Sequence, residues 1–337
     1  MWKDRLNFLS KLTFKRTKNA LGLVYSFARS RSTGSPINRY MPVALAVEPT
    51  TSCNLRCPEC PSGLRSFTRP TGMLQKDMFE KLMDDIGDTL MYLTFYFQGE
   101  PYLHKDFLTM VSMATRKGIY TSTSTNAHYL HYENAIATVK SGLDRLIISI
   151  DGTTQDVYTQ YRVGGKLEKV LEGTRNILRA KKELKSQTPH VIFQFLVVKP
   201  NEHQMDEVKT LARELGVDEL RFKTAQIYDY EEGSDLIPEN DKYARYKEVE
   251  KGKWVIKNKL IDHCWKMWHS AVVTWDGIVV PCCFDKDAEY RMGNVSTVGF
   301  KEVWHSPTYR KFRETLIKGR KNIEMCKNCT EGTKIWG

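Results

Sequence analysis

Residues 43–60 read Val-Ala-Leu-Ala-Val-Glu-Pro-Thr-Thr-Ser-Cys-Asn-Leu-Arg-Cys-Pro-Glu-Cys. The run 43–48 is short and apolar, which predicts a buried strand ending just before the first thiol. Cys53, Cys57 and Cys60 follow on the loop. Three thiolates spaced this way can hold three corners of a [4Fe–4S] cube and leave the fourth iron open to another ligand. The competing reading is structural zinc. A closed zinc site takes four ligands, usually on two paired arms, and no fourth ligand stands near these three in the chain.

Downstream of this loop, helical and strand signals alternate. Helical periodicity covers 76–89, 105–117, 131–140, 167–185 and 202–214. Between these, 91–98 (MYLTFYFQ), 119–125, 145–150 (RLIISI), 190–198 (HVIFQFLVV) and 218–223 (DELRFK) read as strands. With 43–48 that gives strands separated by helices throughout, the pattern of parallel βαβ units. Right-handed crossovers curl such a sheet into an open or partial barrel, with ligands at the C-terminal strand ends. The expected fold is therefore α/β, with a partial (β/α)6 barrel over 41–240 and a linker helix over 241–260. A small hairpin-plus-helix domain over 261–337 follows, because 271–281 carries two apolar runs around Asp276-Gly277 and 307–318 is again helical.

The length, 337 residues, suits one large α/β domain with smaller additions. A content of 41% hydrophobic and 27% charged residues is ordinary for a globular chain and excludes disorder as the main theme. No apolar stretch reaches the ~18 residues a spanning helix needs. The net charge of +11 is concentrated, because residues 1–40 hold nine Lys and Arg against Asp4 alone. The remainder is nearly neutral, which argues against a nucleic-acid partner. Residues 20–28 (ALGLVYSFA) imitate a signal-peptide core, but Arg29 and Arg31 follow at once and no small-x-small site is present. Clustered thiols without a secretory signal point to metal and to a reducing, cytoplasmic compartment.

Cys-x₃-Cys-x₂-Cys after a first strand resembles the radical S-adenosylmethionine (SAM) superfamily, and the resemblance extends along the chain. Gln98-Gly99-Glu100-Pro101, at the end of the second strand, is similar to the superfamily's Gly-Gly-Glu-Pro motif, with Gln98 in place of the first glycine. Ser124-Thr125-Asn126 ends the third strand and Ser149-Ile150-Asp151-Gly152 the fourth. Arg162 is placed like the arginine that pairs with the SAM carboxylate in related enzymes. The resemblance implies SAM contacts from Gln98, Gly99, Glu100, Pro101, Asn126, Ser149, Asp151 and Arg162, with Gln194 facing the same cavity. A methionine zwitterion wants an acceptor by its ammonium and a guanidinium by its carboxylate, which Glu100 and Arg162 would supply.

Cys264, twelve residues, Gly277, four residues and Cys282 form a second signature. It resembles the opening of SPASM and twitch domains, which carry auxiliary clusters. Cys326-Lys-Asn-Cys329 adds a C-x₂-C pair. The resemblance implies two [4Fe–4S] clusters in all, the second on Cys264, Cys282, Cys326 and Cys329. A Cys₄ zinc knot is the alternative, and Cys283 either packs as a small hydrophobe or competes with Cys282.

The function expected from this resemblance is reductive cleavage of SAM to a 5′-deoxyadenosyl radical that abstracts hydrogen from a small or lipid-linked metabolite. The auxiliary cluster would take up an electron, as in a dehydrogenase, and a flavodoxin or ferredoxin would supply the reducing one. A peptide or protein maturase forming thioethers or oxidising Ser or Cys is the alternative, and a non-enzymatic zinc scaffold a second one. Arg221 and Lys223, alternating on the sixth strand, are candidates to face substrate. The head itself, residues 1–30, has apolar side chains at helical spacing with Lys and Arg between them. It reads either as a helix packed on the barrel or as one lying on anionic lipid at the cytoplasmic face.

Overall fold

A computed structural model describes residues 2–332. The last five residues of the segment 261–337 and Met1 lie outside the described residues. Two helices lead, α1 (Trp2–Ser10) and α2 (Phe14–Thr33). The body then runs β1 (Ala44–Val47), α3 (Pro61–Leu64), α4 (Lys76–Ile86), β2 (Tyr92–Phe95), α5 (Phe107–Arg116), β3 (Tyr120–Thr125), α6 (Tyr132–Lys140) and β4 (Arg145–Ser149). It continues with α7 (Gln155–Tyr161), α8 (Leu167–Glu183), β5 (His190–Val197), α9 (Met205–Leu215) and β6 (Glu219–Thr224). Strands β1 to β6 pair in chain order, each parallel to the next. This is the parallel α/β sheet expected of the alternating pattern.

The helices pack on one face of the sheet because the strands place apolar residues there at every second position. Leu45, Val47, Leu93, Phe95, Leu146, Ile148, Phe193 and Phe195 are buried against Phe79, Phe107, Val111 and Ile177. Each such side chain contributes about 1.5–3 kcal/mol relative to exposure. The other face carries smaller and polar groups. At its N-terminal end, Tyr92 and Tyr120 stack at 5.3 Å under the Arg145 guanidinium, and Asp4 of α1 ion-pairs with Arg145. The head therefore closes this end, and the opposite mouth, where the loops after each strand gather, is left for ligands.

Past the barrel the structure departs from expectation. Residues 241–260 do not form a linker helix. They make an antiparallel hairpin of β7 (Tyr246–Glu250) and β8 (Lys253–Ile256). The Lys- and Glu-rich composition suits an exposed helix, but side chains alternate along β8, and Gly252 takes φ +76° at the turn.

The chain then forms α10 (Lys266–His269), β9 (Ser270–Val273), β10 (Ile278–Val280) and β11 (Gly293–Asn294), followed by α11 (Phe300–Trp304), α12 (Pro307–Gly319) and α13 (Glu324–Lys327). The hairpin expected around Asp276-Gly277 is present, yet it does not stand apart from the body. Strand β9 pairs in parallel with β1, Ala44 opposite Ser270, so the sheet order is β11-β10-β9-β1-β2-β3-β4-β5-β6.

Candidate active site

The loop after β1 holds Cys53, Cys57 and Cys60, and short α3 begins directly after it. Gly63 of α3 sits on this loop so closely that a Cβ would stand 2.6 Å from the Cys57 nitrogen. Each thiol faces a polar partner. Cys53 Sγ lies 3.9 Å from Asn126 Nδ2, Cys57 Sγ 3.7 Å from Arg162 Nη1, and Cys60 Sγ 3.8 Å from Gln98 Oε1. Burial pushes Cys53 up to about 11 and raises Cys57 as well. Such thiols give up their protons to a metal centre rather than to water, and the adjacent guanidinium suits an anionic set. The donor set therefore fits a cluster that takes three thiolates.

Glu100 follows β2 and is only 2% exposed. Its Oε1 accepts from Thr125 Oγ1 at 2.7 Å and its Oε2 from the Asn126 nitrogen at 2.8 Å. Burial raises its pKa to about 7 against these hydrogen bonds. Gly99 beside it takes φ +75°, and a Cβ there would meet the Thr50 carbonyl oxygen at 2.2 Å. The motif's central glycine is thus required, because the backbone crosses the turn leading to Cys53. Gln98 is not among the positive-φ residues, so a side chain is tolerated where the superfamily has its first glycine.

Arg162 ends α7. It donates from Nε to Asp151 Oδ2 at 2.5 Å, and Asp151, fully buried after β4, accepts from the Leu196 nitrogen through Oδ1. Burial opposes the guanidinium charge, but Asp151 and Cys57 hold its pKa well above the usual arginine range. Ser149 is buried and Gln194 partly so, opposite each other on β4 and β5. Arg221 pairs with Glu219 through Nε at 2.5 Å, and Lys223 is exposed within electrostatic reach of Glu331. The structure therefore gathers Gln98, Gly99, Glu100, Asn126, Asp151 and Arg162 around the first thiols but leaves Arg221 turned to its own strand.

The second set of thiols lies against the same mouth. Cys264, Cys326 and Cys329 collect around Arg320, which is 1% exposed and donates from Nη2 to Cys329 Sγ at 3.0 Å. Cys282 and Cys283 stand side by side in sequence, and their mutual interaction raises Cys282 and lowers Cys283. Among the described residues, no three His, Cys, Asp or Glu side chains have the convergence that a single bound ion requires.

Several residues here carried no local signal. Glu48, at the end of β1, is fully buried and makes a bidentate pair with Arg69 at 2.6 and 2.8 Å. Arg69 also donates to the Lys286 carbonyl, and Glu48 accepts from the Trp275 nitrogen. The pair thus ties β1 to the hairpin region. A carboxylate closing an apolar strand, Val-Ala-Leu-Ala-Val-Glu, was the one sequence hint of it.

The two regions are stapled by the loop after β6. Tyr228 nitrogen donates to Glu59 Oε2 at 3.0 Å, and Ile227 oxygen accepts from Asn328 Nδ2 at 2.6 Å. Between them lies a cleft of about 490 Å³. Pro61 and Leu64 of α3, Tyr228 and Tyr230 of the loop after β6, and Phe284, Lys286 and Met325 line it.

These features define a radical SAM enzyme, and the chain belongs to the radical SAM superfamily, whose family model matches residues 47–215. Residues 264–330 match the iron–sulfur cluster-binding SPASM domain. The protein accordingly uses SAM and a [4Fe–4S] cluster, and its SPASM segment binds additional iron–sulfur centres. The chain is 27% identical to a tungsten-containing aldehyde ferredoxin oxidoreductase cofactor-modifying protein of Pyrococcus furiosus, covering 80% of this chain and 82% of that one. It is 26% identical to the PqqA peptide cyclase of Gluconobacter oxydans over 88% and 85%. In fold it is similar to SuiB of Streptococcus suis bound to S-adenosylmethionine, with TM-score 0.63 and 14% identity, covering 90% and 75%.

Proposed function

We propose that this protein is a peptide-modifying radical SAM enzyme that oxidises or cross-links a side chain. The observation that carries this reading is the cleft of about 490 Å³ lined by Pro61, Phe284 and Met325, each next in the chain to a cysteine of one of the two sets, which leaves room for a substrate side chain beside both. The peptide cyclase among its relatives supports it. The smaller-metabolite reading expected from the sequence draws less support from the relatives and becomes the alternative outcome of the test.

When bound, the first cluster and SAM supply a 5′-deoxyadenosyl radical that takes one hydrogen atom from the substrate. The chain's own residues hold the reactants. Glu100, fixed by Thr125 and Asn126, accepts from the SAM ammonium. Arg162 meets its carboxylate, with Asp151 locking the guanidinium in place. Cys53, Cys57 and Cys60 hold the first cluster. Cys264, Cys282, Cys326 and Cys329 would hold one auxiliary cluster beside Arg320, and that group would supply an acceptor for the electron left when the substrate gives up its second hydrogen as a proton. A flavodoxin- or ferredoxin-type protein supplies the first electron. Arg320, hydrogen-bonded to Cys329, and Lys266, within electrostatic reach of Cys282 and Cys283, are the basic groups beside the second thiol set, and half-buried Lys286 lines the cleft.

The test is anaerobic turnover of the reconstituted enzyme with SAM and dithionite. The substrates offered are synthetic peptides encoded beside its gene and, separately, a panel of small polyols and amino alcohols. A peptide product lacking two hydrogens, with matching 5′-deoxyadenosine, is expected. Oxidation of a polyol with every peptide unchanged would refute the proposal.

A further inference from the structure

Helices packed on a protein body normally turn their apolar stripe inward. The head of this chain does the reverse over much of its surface. The side chains that α1 and α2 send inward include Asp4, Arg16, Asn19, Ser26 and Ser30, all buried. Asp4, Arg16, Asn19 and Ser30 have polar partners there, and Ser26 Oγ has none among the described residues. Arg16 donates to the carbonyls of Lys11, Gly118, Gly87 and Lys117, and Asn19 exchanges two hydrogen bonds with the Met41 backbone. Leu23 and Phe27 add an apolar inner contact against Trp265 and Trp268.

The outward faces are apolar. The four most exposed large apolar side chains among the described residues are Trp2, Phe14, Leu21 and Tyr25, at 70, 85, 67 and 63%. Leu6 and Leu9 extend the same surface along α1. Interleaved with them are the exposed Arg5, Lys18 and Arg29, in the one part of the chain that carries most of its net positive charge. Solvent disfavours such a surface. A lipid interface with acidic headgroups satisfies both halves, the apolar side chains entering the acyl boundary and the cations meeting phosphate.

The placement gives this surface a consequence. The inward contacts of α1 and α2 reach Arg145, Asp144, Gly118 and Met41, all at the N-terminal ends of the strands or just before them. The loop carrying Cys53, Cys57 and Cys60 follows β1 at the opposite end, while Phe27 of α2 reaches Trp265 beside Cys264. We propose that α1 and α2 seat the protein on an anionic lipid surface through these outer faces, with the substrate mouth turned away from the bilayer. This inference does not depend on the identity of the substrate.

The test uses the full-length, cluster-loaded protein and flotation with two kinds of vesicle, phosphatidylcholine alone and phosphatidylcholine with phosphatidylglycerol. Binding to the second but not the first, reversed by salt, is expected. Arg5→Gln/Lys18→Gln/Arg29→Gln should weaken binding roughly fivefold for each charge removed. Phe14→Ser/Leu21→Ser/Tyr25→Ser should abolish it, while iron content and SAM cleavage stay unchanged in both variants. Failure to bind acidic vesicles, or binding that survives both triple variants, would overturn the proposal. So would a concentration-dependent dimer that the apolar triple variant dissolves, since that would assign the face to a second copy of this chain.

Discussion

Asp151, wholly buried, holds the Arg162 guanidinium at 2.5 Å and so aims it past Cys57 Sγ into the mouth. The aspartate thus acts through the arginine. Its own oxygens are engaged by Arg162 and by the Leu196 nitrogen.

Asp151→Asn should therefore weaken SAM binding by about 10–100-fold, the usual cost of losing a partner that orients a ligand-holding group. The first cluster should remain. Equilibrium binding of SAM to the reconstituted variant, beside its iron content, checks this. Loss of iron with SAM affinity intact would contradict it.

Removing a thiol separates the two centres. Cys57→Ala should abolish SAM cleavage, because the first cluster loses a corner. Cys326→Ala should leave cleavage running without product, because the second electron has no acceptor. Both are read from 5′-deoxyadenosine and product yields in one anaerobic assay.

Gly99→Ala should destabilise the fold by about 1–3 kcal/mol, since φ +75° and the Thr50 carbonyl both resist a Cβ. Gln98→Gly, one residue away, should cost no more than about 1 kcal/mol. Urea unfolding of the two variants gives the comparison.

Arg69→Met should cost about 3–5 kcal/mol, because it strands Glu48 inside the protein without its partner. Adding Glu48→Gln should recover part of that loss. Unfolding midpoints of the single and double variants provide the measurement.

Acid should weaken the fold before most carboxylates titrate. Burial, then the neighbouring Lys266, lower His269 to about 4, below the ~6.5 of an unfolded histidine. Between those values the unfolded chain binds the extra proton, so the contribution is complete above about 6.5 and is lost as pH falls towards 4. His128, His263 and His305 shift in the same direction. Urea midpoints taken across this window should fall, and His269→Gln should flatten the slope.

Much of this molecule is legible in its sequence where the signal is local. Cys53, Cys57 and Cys60 declare themselves by spacing, and the parallel strands by apolar runs between helical stretches. Arg162 was placed from its surroundings in the chain, but its bond to Asp151 depends on α7, a short helix with little periodicity to read. The hairpin at 246–256 was hidden because Lys and Glu fill its exposed positions and favour a helical reading. The Glu48–Arg69 pair and the packing of β9 on β1 join distant segments, and no local pattern encodes them. The outward apolar faces of α1 and α2 were visible as stripes, although only the structure shows which side each stripe takes.

The pairing of Ala44 with Ser270 bears on how the chain is made. As it leaves the ribosome, β1 has β2 on one side and an open edge on the other until residues 270–273 have emerged. An open edge of this kind invites pairing with other chains, and domains completed late in synthesis are exposed to that hazard longest. The segment that closes the edge also carries Cys264. The two thiol-bearing segments are thereby joined through one strand pair, and a nascent chain halted before β9 would present its first thiol loop on an unfinished sheet.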